Sequence, residues 1–486
     1  MEQEDFAPLG AQLEPLLASA MRRAVDYRRS VGRADAPLPQ SYAEALDAFS
    51  GPTPEAGEPG LNVIETLDRL ARPGLREVIG PRFFGWVIGA SHPVGVAADW
   101  LTSAWGQNAA NVIVAPAAAA AEAAAAKWLL ELLDLPRQAS VGFVSGATGA
   151  HFVALAAARS ALLRRQGWDV EADGLFGAPP IDVLVGDNAH TTIFAALRYI
   201  GMGARRVTRI PTDSEGRMLP EALASALDKV QGPPLVILQA GQINTGAFDP
   251  ATALIPLAKA HGAWVHVDGA FGLWARACPS TAPLAHGLEE ADSWATDGHK
   301  WLQVPYDCGY AIVRDAGAHR RAMDISASYL PVPDAAERHP SHYVPELSRR
   351  ARAFATWAMI RHLGRNGIAA LVERHCSIAS RMAERLSAEP GVTVLNDVVL
   401  NQVAVRFGEA EAGEMGDRMT LQTVRLIQAE NVCYAAEARW RDRTILRLSV
   451  ISMATRIEDA DLACDAILDA WRTVRARASS PIAEPA

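Results

Sequence analysis

Between residues 141 and 313, short apolar runs alternate with longer stretches of helical period. The runs at 141–144, 182–185, 235–238, 264–267 and 309–313 are too short for helices and lack the polar alternation of a half-exposed strand. With helices between them, they predict a parallel sheet covered on both faces. Upstream, helical stretches fall at 13–29, 41–49 and 63–72, and a Pro/Gly-rich segment at 51–60 separates the last two. A helical arm over 1–80 is therefore expected, followed by a large α/β domain over 81–353. The alanine-rich run at 115–126 continues through Trp128, Leu129, Leu130 and Leu133 as a helix. Glu122 and Lys127 interrupt it short of a membrane-spanning length. Beyond Ala353 a long helical stretch leads to strands expected at 392–395, 402–406 and 444–449, which predicts a smaller α+β domain over 354–478. The Ser/Pro-containing tail at 479–486 is expected to be disordered.

Composition sharpens this picture in a few places. A chain of 486 residues is too long for one hydrophobic core. Its 50% apolar share suits a large buried interior and a sizeable subunit interface. A net charge of -9 argues against nucleic acid as a partner. The run Arg349-Arg350-Ala351-Arg352 is too short for more than a patch, and a solvated helix face is expected there. Cys278, Cys308, Cys376, Cys433 and Cys464 are scattered without paired spacing, which fits neither a disulfide framework nor a zinc site and suits a reducing compartment. The acidic start Met1-Glu2-Gln3-Glu4-Asp5 lacks the positive charge of a signal peptide. A cytoplasmic protein with no membrane association is expected.

Ligands of an open α/β sheet sit beyond the carboxyl ends of its strands. After 141–144 come Ser145-Gly146-Ala147-Thr148-Gly149-Ala150, leading into a helix near His151. Small residues and free helix-start N–H groups suit a phosphate, although such turns are common without one. After 182–185 stands His190, a catalytic group or a structural hydrogen-bonder. After 264–267 stands Asp268, within His266-Val267-Asp268-Gly269-Ala270. A carboxylate ending a buried strand needs a partner, either a cofactor's cationic nitrogen or a structural ion pair. Further on, Lys300 lies in Asp297-Gly298-His299-Lys300-Trp301-Leu302. A desolvated lysine offers a neutral amine for Schiff-base chemistry, whereas one lying flat with its head in water does not. Read together, these groups meet the needs of a pyridoxal site: a bonding amine, an acid for the ring nitrogen, a phosphate cradle and a partner for the ring face.

On these segments the chain resembles the group II pyridoxal-dependent decarboxylases, among them the aromatic-L-amino-acid, histidine, glutamate and diaminobutyrate decarboxylases. The resemblance runs from Pro81 to Arg352 and more loosely to the C-terminus, and is strongest at His299-Lys300-Trp301 and at 266–270. It implies an α/β, aminotransferase-like (fold type I) architecture with pyridoxal 5'-phosphate as cofactor. Carried over by position, Lys300 would bear the Schiff base and Asp268 would pair with the pyridinium nitrogen. His190 would stack on one ring face, and Ala270 would pack on the other. Ala147 and Thr148 would hold the phosphate with His299 beside it, and Asp249 would lie near the cofactor. The segment Pro81-Arg82-Phe83-Phe84-Gly85-Trp86 resembles one that lines the substrate pocket, which makes Phe84, Trp86 and His92 the expected substrate contacts. Ala327-Ser328-Tyr329-Leu330 resembles a mobile-loop segment whose tyrosine returns a proton after carbon dioxide leaves. Three departures stand out: Ile243 replaces a threonine, His151 an Asn or Thr, and Asp297 an Asn.

The resemblance implies an L-amino-acid α-decarboxylase releasing carbon dioxide and an amine, with an aromatic or bulky apolar substrate favoured by Phe84 and Trp86. It also implies a homodimer with its active site at the subunit interface. Two other readings keep the cofactor and change the bond broken: a carbon–carbon lyase of the aldolase kind, or an aminotransferase in which Arg441, Arg443 or Arg447 holds the α-carboxylate. A non-catalytic relative would show no absorbance dependent on Lys300.

Overall fold

A computed structural model describes residues 9–33, 37–325, 338–409 and 413–479. Each apolar run becomes a strand, joined by two that the texture did not announce. The strands are β1 (Ser140–Val144), β2 (Asp182–Gly186), β3 (Thr208–Ile210), β4 (Pro234–Gln239), β5 (Trp264–Asp268), β6 (Ser293–Asp297) and β7 (Gly309–Val313). They form one sheet in the order β1-β7-β6-β5-β4-β2-β3. The expected all-parallel sheet is in fact mixed. β7 lies between β1 and β6 and runs antiparallel to both, while the other pairs are parallel. Every residue of β1, β6 and β7 is buried. Burial on both faces leaves the same apolar texture whichever way a strand runs, so the sequence carried no sign of the reversal.

Helices cover both faces. An arm of α1 (Leu9–Ser30), α2 (Tyr42–Phe49) and α3 (Gly60–Ala71) precedes α4 (Pro93–Trp105), α5 (Pro116–Leu132) and α6 (Ala147–Arg165). The start of α2 is fixed by a capping box in which Ser41 and Glu44 satisfy each other's backbone amides. On one face Leu129 and Leu133, at the end of α5, join the core that includes Val265, Trp274 and Trp301. On the other, α6 presents Ala150, Ala154, Ala157 and Ala158, small side chains that let the helix lie close to the strands.

The arginine run is not a solvated face. Arg349 is buried and pairs with the buried Glu122 of α5 at 2.8 Å, and Arg338 reaches the same carboxylate at 3.0 Å. Arg352 pairs with Asp307 at 3.0 Å. Glu122, which had served only to interrupt an apolar run, is thus the anchor of the segment entering the long helix Ala353–Ser387. Removing one member of such a pair strands a buried charge, at a cost of about 3–5 kcal/mol.

Beyond that helix, β8 (Val392–Val394), β9 (Gln402–Phe407), β10 (Ala436–Trp440) and β11 (Arg443–Ser449) form an antiparallel sheet in the order β10-β11-β9-β8. It packs against Ile378 and Met382 of the long helix and Ile467 and Trp471 of the last one, Ile457–Ser479. Apart from Ser479, the tail expected to be disordered lies outside the described residues. Among the described residues, no helix is long and apolar enough to cross a membrane.

Candidate active site

Parallel pairing puts the ends of β4, β5 and β6 side by side, with Gln239 opposite Asp268 and Asp268 opposite Ala295. Asp268 is buried, and its Oδ1 accepts the Ala270 amide at 3.2 Å. His151 Nε2, from α6, stands 3.5 Å from the same oxygen, an ion-pair separation without hydrogen-bond geometry. Behind it His151 Nδ1 meets His266 Nε2 at 2.9 Å, His266 Nδ1 meets Ser293 Oγ at 2.9 Å, and Trp264 Nε1 donates to that oxygen at 2.9 Å. An indole only donates, so Ser293 Oγ accepts from Trp264. Burial, with His151 adding to it, pushes His266 well below the usual imidazole range and keeps it neutral. Burial alone would raise the Asp268 pKa. The attraction of His151 and His190 and the Ala270 amide outweigh it and hold the carboxyl well below the ordinary range.

Lys300 lies in the loop after β6. Its Nζ is 2.9 Å from Asp297 Oδ2 and 6.0 Å from the Phe271 ring centroid. The loop is held by the buried Gln303, whose Nε2 donates to Lys300 O at 2.7 Å and Ile451 O at 2.9 Å while its Oε1 accepts the Met453 amide at 3.0 Å. Next to Lys300, Trp301 Nε1 donates to His375 Nδ1 of the long helix at 2.9 Å. His299 Nδ1 accepts the Cys308 amide at 3.2 Å, and its ring stacks on Tyr306 at 4.3 Å. Gly89 must be glycine because a Cβ there would come 1.7 Å from His299 O. The segment after the arm therefore runs directly over the lysine loop.

His190 caps the helix Thr191–Tyr199 through Nδ1, which meets Thr192 Oγ1 at 2.8 Å. Burial lowers its pKa, while Asp268 opposes the shift and Lys300, His151 and Arg447 reinforce it. Ala147 and Thr148 open α6, and the Ala147 amide donates to Asp297 Oδ1 at 2.6 Å. Asp249 lines a small pocket with Asp268 and Gln239, but both of its oxygens are taken, by the Met218 and Gln239 amides at 2.7 Å each. Burial pushes its pKa up to about 7 against those two donors. Its carboxyl is a clamp on the chain rather than a free group.

The expected substrate contacts do not converge on this pocket. The Phe84 side chain is fully buried in the core of the four-stranded sheet, because its backbone bonds Tyr434 and Ser449 and turns the ring inward. Trp86 is 48% exposed and packs beside Phe83 and Tyr434. His92 caps α4 and stacks on His362 at 4.7 Å. Tyr329 lies outside the described residues. Of the three arginines considered, Arg447 lies on β11 and acts electrostatically on His190. It is half-buried, and burial lowers its pKa to about 10. Its Nη1 meets Asn244 Oδ1 at 3.2 Å, and among the described residues it forms no ion pair. His151 and Ser293 are the functional neighbours the sequence did not single out; the histidine at a position of departure from the resembled family was the available signal.

Residues 43–407 match the model of a family described as the pyridoxal-dependent decarboxylase conserved domain. The chain belongs to the pyridoxal-dependent decarboxylase family. This decarboxylase is 26% identical to the aromatic-L-amino-acid decarboxylase of Rattus norvegicus over 99% of its own length and 98% of that protein's. It is 27% identical to tryptophan decarboxylase 1 of Oryza sativa subsp. japonica over 92% of each. Its fold is that of Oryza sativa TDC crystallised with PLP and tryptamine, with a TM-score of 0.90 at 24% identity, covering 96% of this chain and 99% of that one. Mouse CSAD superposes with a TM-score of 0.86 at 20% identity over 95% and 99%. The decarboxylase is thus a fold type I, pyridoxal-phosphate-dependent carboxy-lyase. Its own residues fit the cofactor's needs of an acid and an amine, since the buried Asp268 ends β5 and Lys300 follows the adjacent β6. The first amide of α6 is already held by the Asp297 carboxylate.

Proposed function

We propose that the protein is an L-amino-acid α-decarboxylase that releases carbon dioxide and an amine and acts on an aromatic or bulky apolar amino acid. The observation that carries the reaction type is Asp268, buried where β5 ends with His151 3.5 Å from its carboxylate, beside the strand β6 that leads to Lys300. Pyridoxal phosphate, when bound, supplies the sink for the electron pair left as a bond to Cα breaks. Asp268 would hold a proton on the ring nitrogen, which would make that sink effective. Lys300 Nζ would be the amine that bonds the cofactor aldehyde. His190 would offer a flat face to the ring, and Ala270 would be small enough for the opposite side. Ala147 and Thr148 at the start of α6, with His299 beside them, would hold the phosphate. Tyr329 is assigned the return of a proton to Cα. Aromatic substrates are favoured by the activities for which the relatives are named and by Phe271 beside Lys300. Ile243, which adds apolar surface where a hydroxyl was expected, points the same way.

The test is a panel of L-amino acids with the holoenzyme, following amine and carbon dioxide together. Tryptophan, tyrosine or phenylalanine is expected to turn over with kcat/KM at least about tenfold above glutamate, since a buried γ-carboxylate without a partner is costly. Equal or greater activity on glutamate removes the substrate assignment. Arg447 favours a second reading, because a half-buried cation with no ion pair among the described residues suits a substrate carboxylate that is retained, as in an aminotransferase. Oxo-acid product in stoichiometric amount would establish that reading.

We further propose a homodimer located in a reducing, cytoplasmic compartment, and a division into an arm, a large domain and a small domain at residues 80 and 353. Leu13, Leu17, Met21 and Val25 recur every fourth residue along α1 and are all exposed, as are Trp100, Leu101 and Trp105 on α4. Stripes of that kind on an arm suit coverage by a second copy. Light scattering is expected to return twice the chain mass for the native protein, and one chain mass for a Leu17→Glu/Met21→Glu variant that keeps its helical circular dichroism. A native mass of one chain overturns the dimer.

A further inference from the structure

The first amide of α6 is already occupied. A helix start with no side-chain cap normally leaves its N–H groups to solvent or to an anion. Here Gly146 precedes the helix without capping it, and the Ala147 amide donates to Asp297 Oδ1 at 2.6 Å. The carboxylate is brought there by the sheet. Asp297 ends β6 opposite Gly309, the same Gly309 lies opposite Val144 at the end of β1, and a Cβ on it would come 2.5 Å from Gly146 Cα and 3.0 Å from Asp297 Oδ1. The other oxygen of Asp297 faces Lys300 Nζ at 2.9 Å, and His299 Nε2 lies 3.5 Å from Oδ1. One buried carboxylate thus bridges the amide at the phosphate end and the amine at the aldehyde end.

We propose that Asp297 is an internal competitor for the cofactor's phosphate, and that seating the phosphate requires Asp297 to take up a proton. The proposal rests on the α6 start as the phosphate cradle. A phosphate carries up to two negative charges at neutral pH. Placed against a buried carboxylate, it raises that carboxyl's pKa, as any like charge does. A pKa raised by binding means proton uptake on binding, so affinity for the phosphorylated cofactor falls as pH rises. Each unit of that rise is worth about tenfold in affinity. The other groups facing Asp297 are Lys300 and His299 from its own loop, Tyr306 beyond them, and Cys308 and Tyr310 leading into and along β7. Burial pushes Tyr306 up to about 12, Cys308 up to about 11 and Tyr310 well above its usual range, so these three stay neutral. Lys300 and His299 are present in both the native protein and an Asp297→Asn variant, so the difference between the two isolates Asp297.

The experiment strips the full-length protein of cofactor and titrates it with pyridoxal phosphate and, separately, with pyridoxal. Bound cofactor is followed by absorbance and tryptophan quenching at about pH 6.5 and 8.5. At the higher pH, Asp297→Asn is expected to bind pyridoxal phosphate at least about tenfold more tightly than the native protein, with a gap that shrinks at the lower pH. Pyridoxal, which lacks the phosphate, should change by less than about threefold. Calorimetry in two buffers of different ionisation heat should show the native protein taking up more protons than the variant on binding pyridoxal phosphate. Equal or weaker binding of pyridoxal phosphate by a folded variant overturns the proposal, as does an equal gain for both ligands. If Asp297→Asn does not fold, absence of proton uptake by the native protein overturns it instead. Thr148→Val tests the cradle itself. Weakened binding of pyridoxal phosphate alone supports a phosphate there, whereas no change for either ligand removes the cradle and the competition with it.

Discussion

Lys300→Ala is expected to abolish the visible absorbance of lysine-linked cofactor and to lower turnover by at least about 10³-fold, because no other amine stands at that place. The substitution has a second consequence that must be separated from the first. Lys300 and Asp297 form a close pair, with side chains 16% and 3% exposed, and removing the lysine leaves a buried carboxylate with the Ala147 amide and His299 but without its cation. Breaking such a pair costs about 3–5 kcal/mol of stability. A Lys300→Ala/Asp297→Asn double variant is expected to recover most of the melting temperature and none of the turnover. Retention of the absorbance band, or of more than about 1% of native activity, by either folded variant would exclude Lys300 as the bonding amine.

That pair also marks where sequence reading stops. Strands β1, β2, β4, β5 and β7 were legible because each buries both faces and is almost uniformly apolar. β6 was not, although all its residues are buried, because Ser293, Thr296 and Asp297 interrupt the apolar run; their polar atoms find partners inside the protein. β3 and β10 are edge strands with exposed positions, so little in their sequence sets them apart from loops. At the site, Asp268 and His190 follow strands that the sequence showed, and Lys300 follows β6 of the same sheet, which it did not. Facing direction was another matter. Phe84 sits in a segment that passes over the lysine loop, yet its ring turns into the other sheet because backbone bonds to Tyr434 and Ser449 fix its orientation. Arg349 shows the same limit: a run of arginines reads as solvated until the buried Glu122 more than two hundred residues upstream is seen beside it. Contacts of that range are set by topology, and the antiparallel insertion of β7 that brings Asp297 against Ala147 has no local signature.

Asp268→Asn is expected to lower kcat by about 10³-fold while leaving the fold and cofactor content largely intact. The size of the effect follows from the loss of charge. Asp268 is buried, with the Ala270 amide bonded to Oδ1 and His151 Nε2 3.5 Å from the same oxygen. An asparagine there carries no charge with which to hold a proton on the ring nitrogen. A cofactor analogue methylated on the ring nitrogen, permanently cationic, should restore at least about tenfold of the lost rate in the variant and none in the native protein. The pH dependence gives an independent check. Asp268 is held well below the ordinary carboxylate range, so the interactions that keep it ionised are fully present above its unfolded value near ~4 and fade only as pH falls through the lower folded value. Across about pH 5–9 it should contribute no limb to the native profile of kcat/KM, and any acid limb there belongs to another group. A native profile whose acid limb vanishes in Asp268→Asn, or a variant retaining more than about a tenth of native kcat, would show that residue 268 does not hold the ring proton.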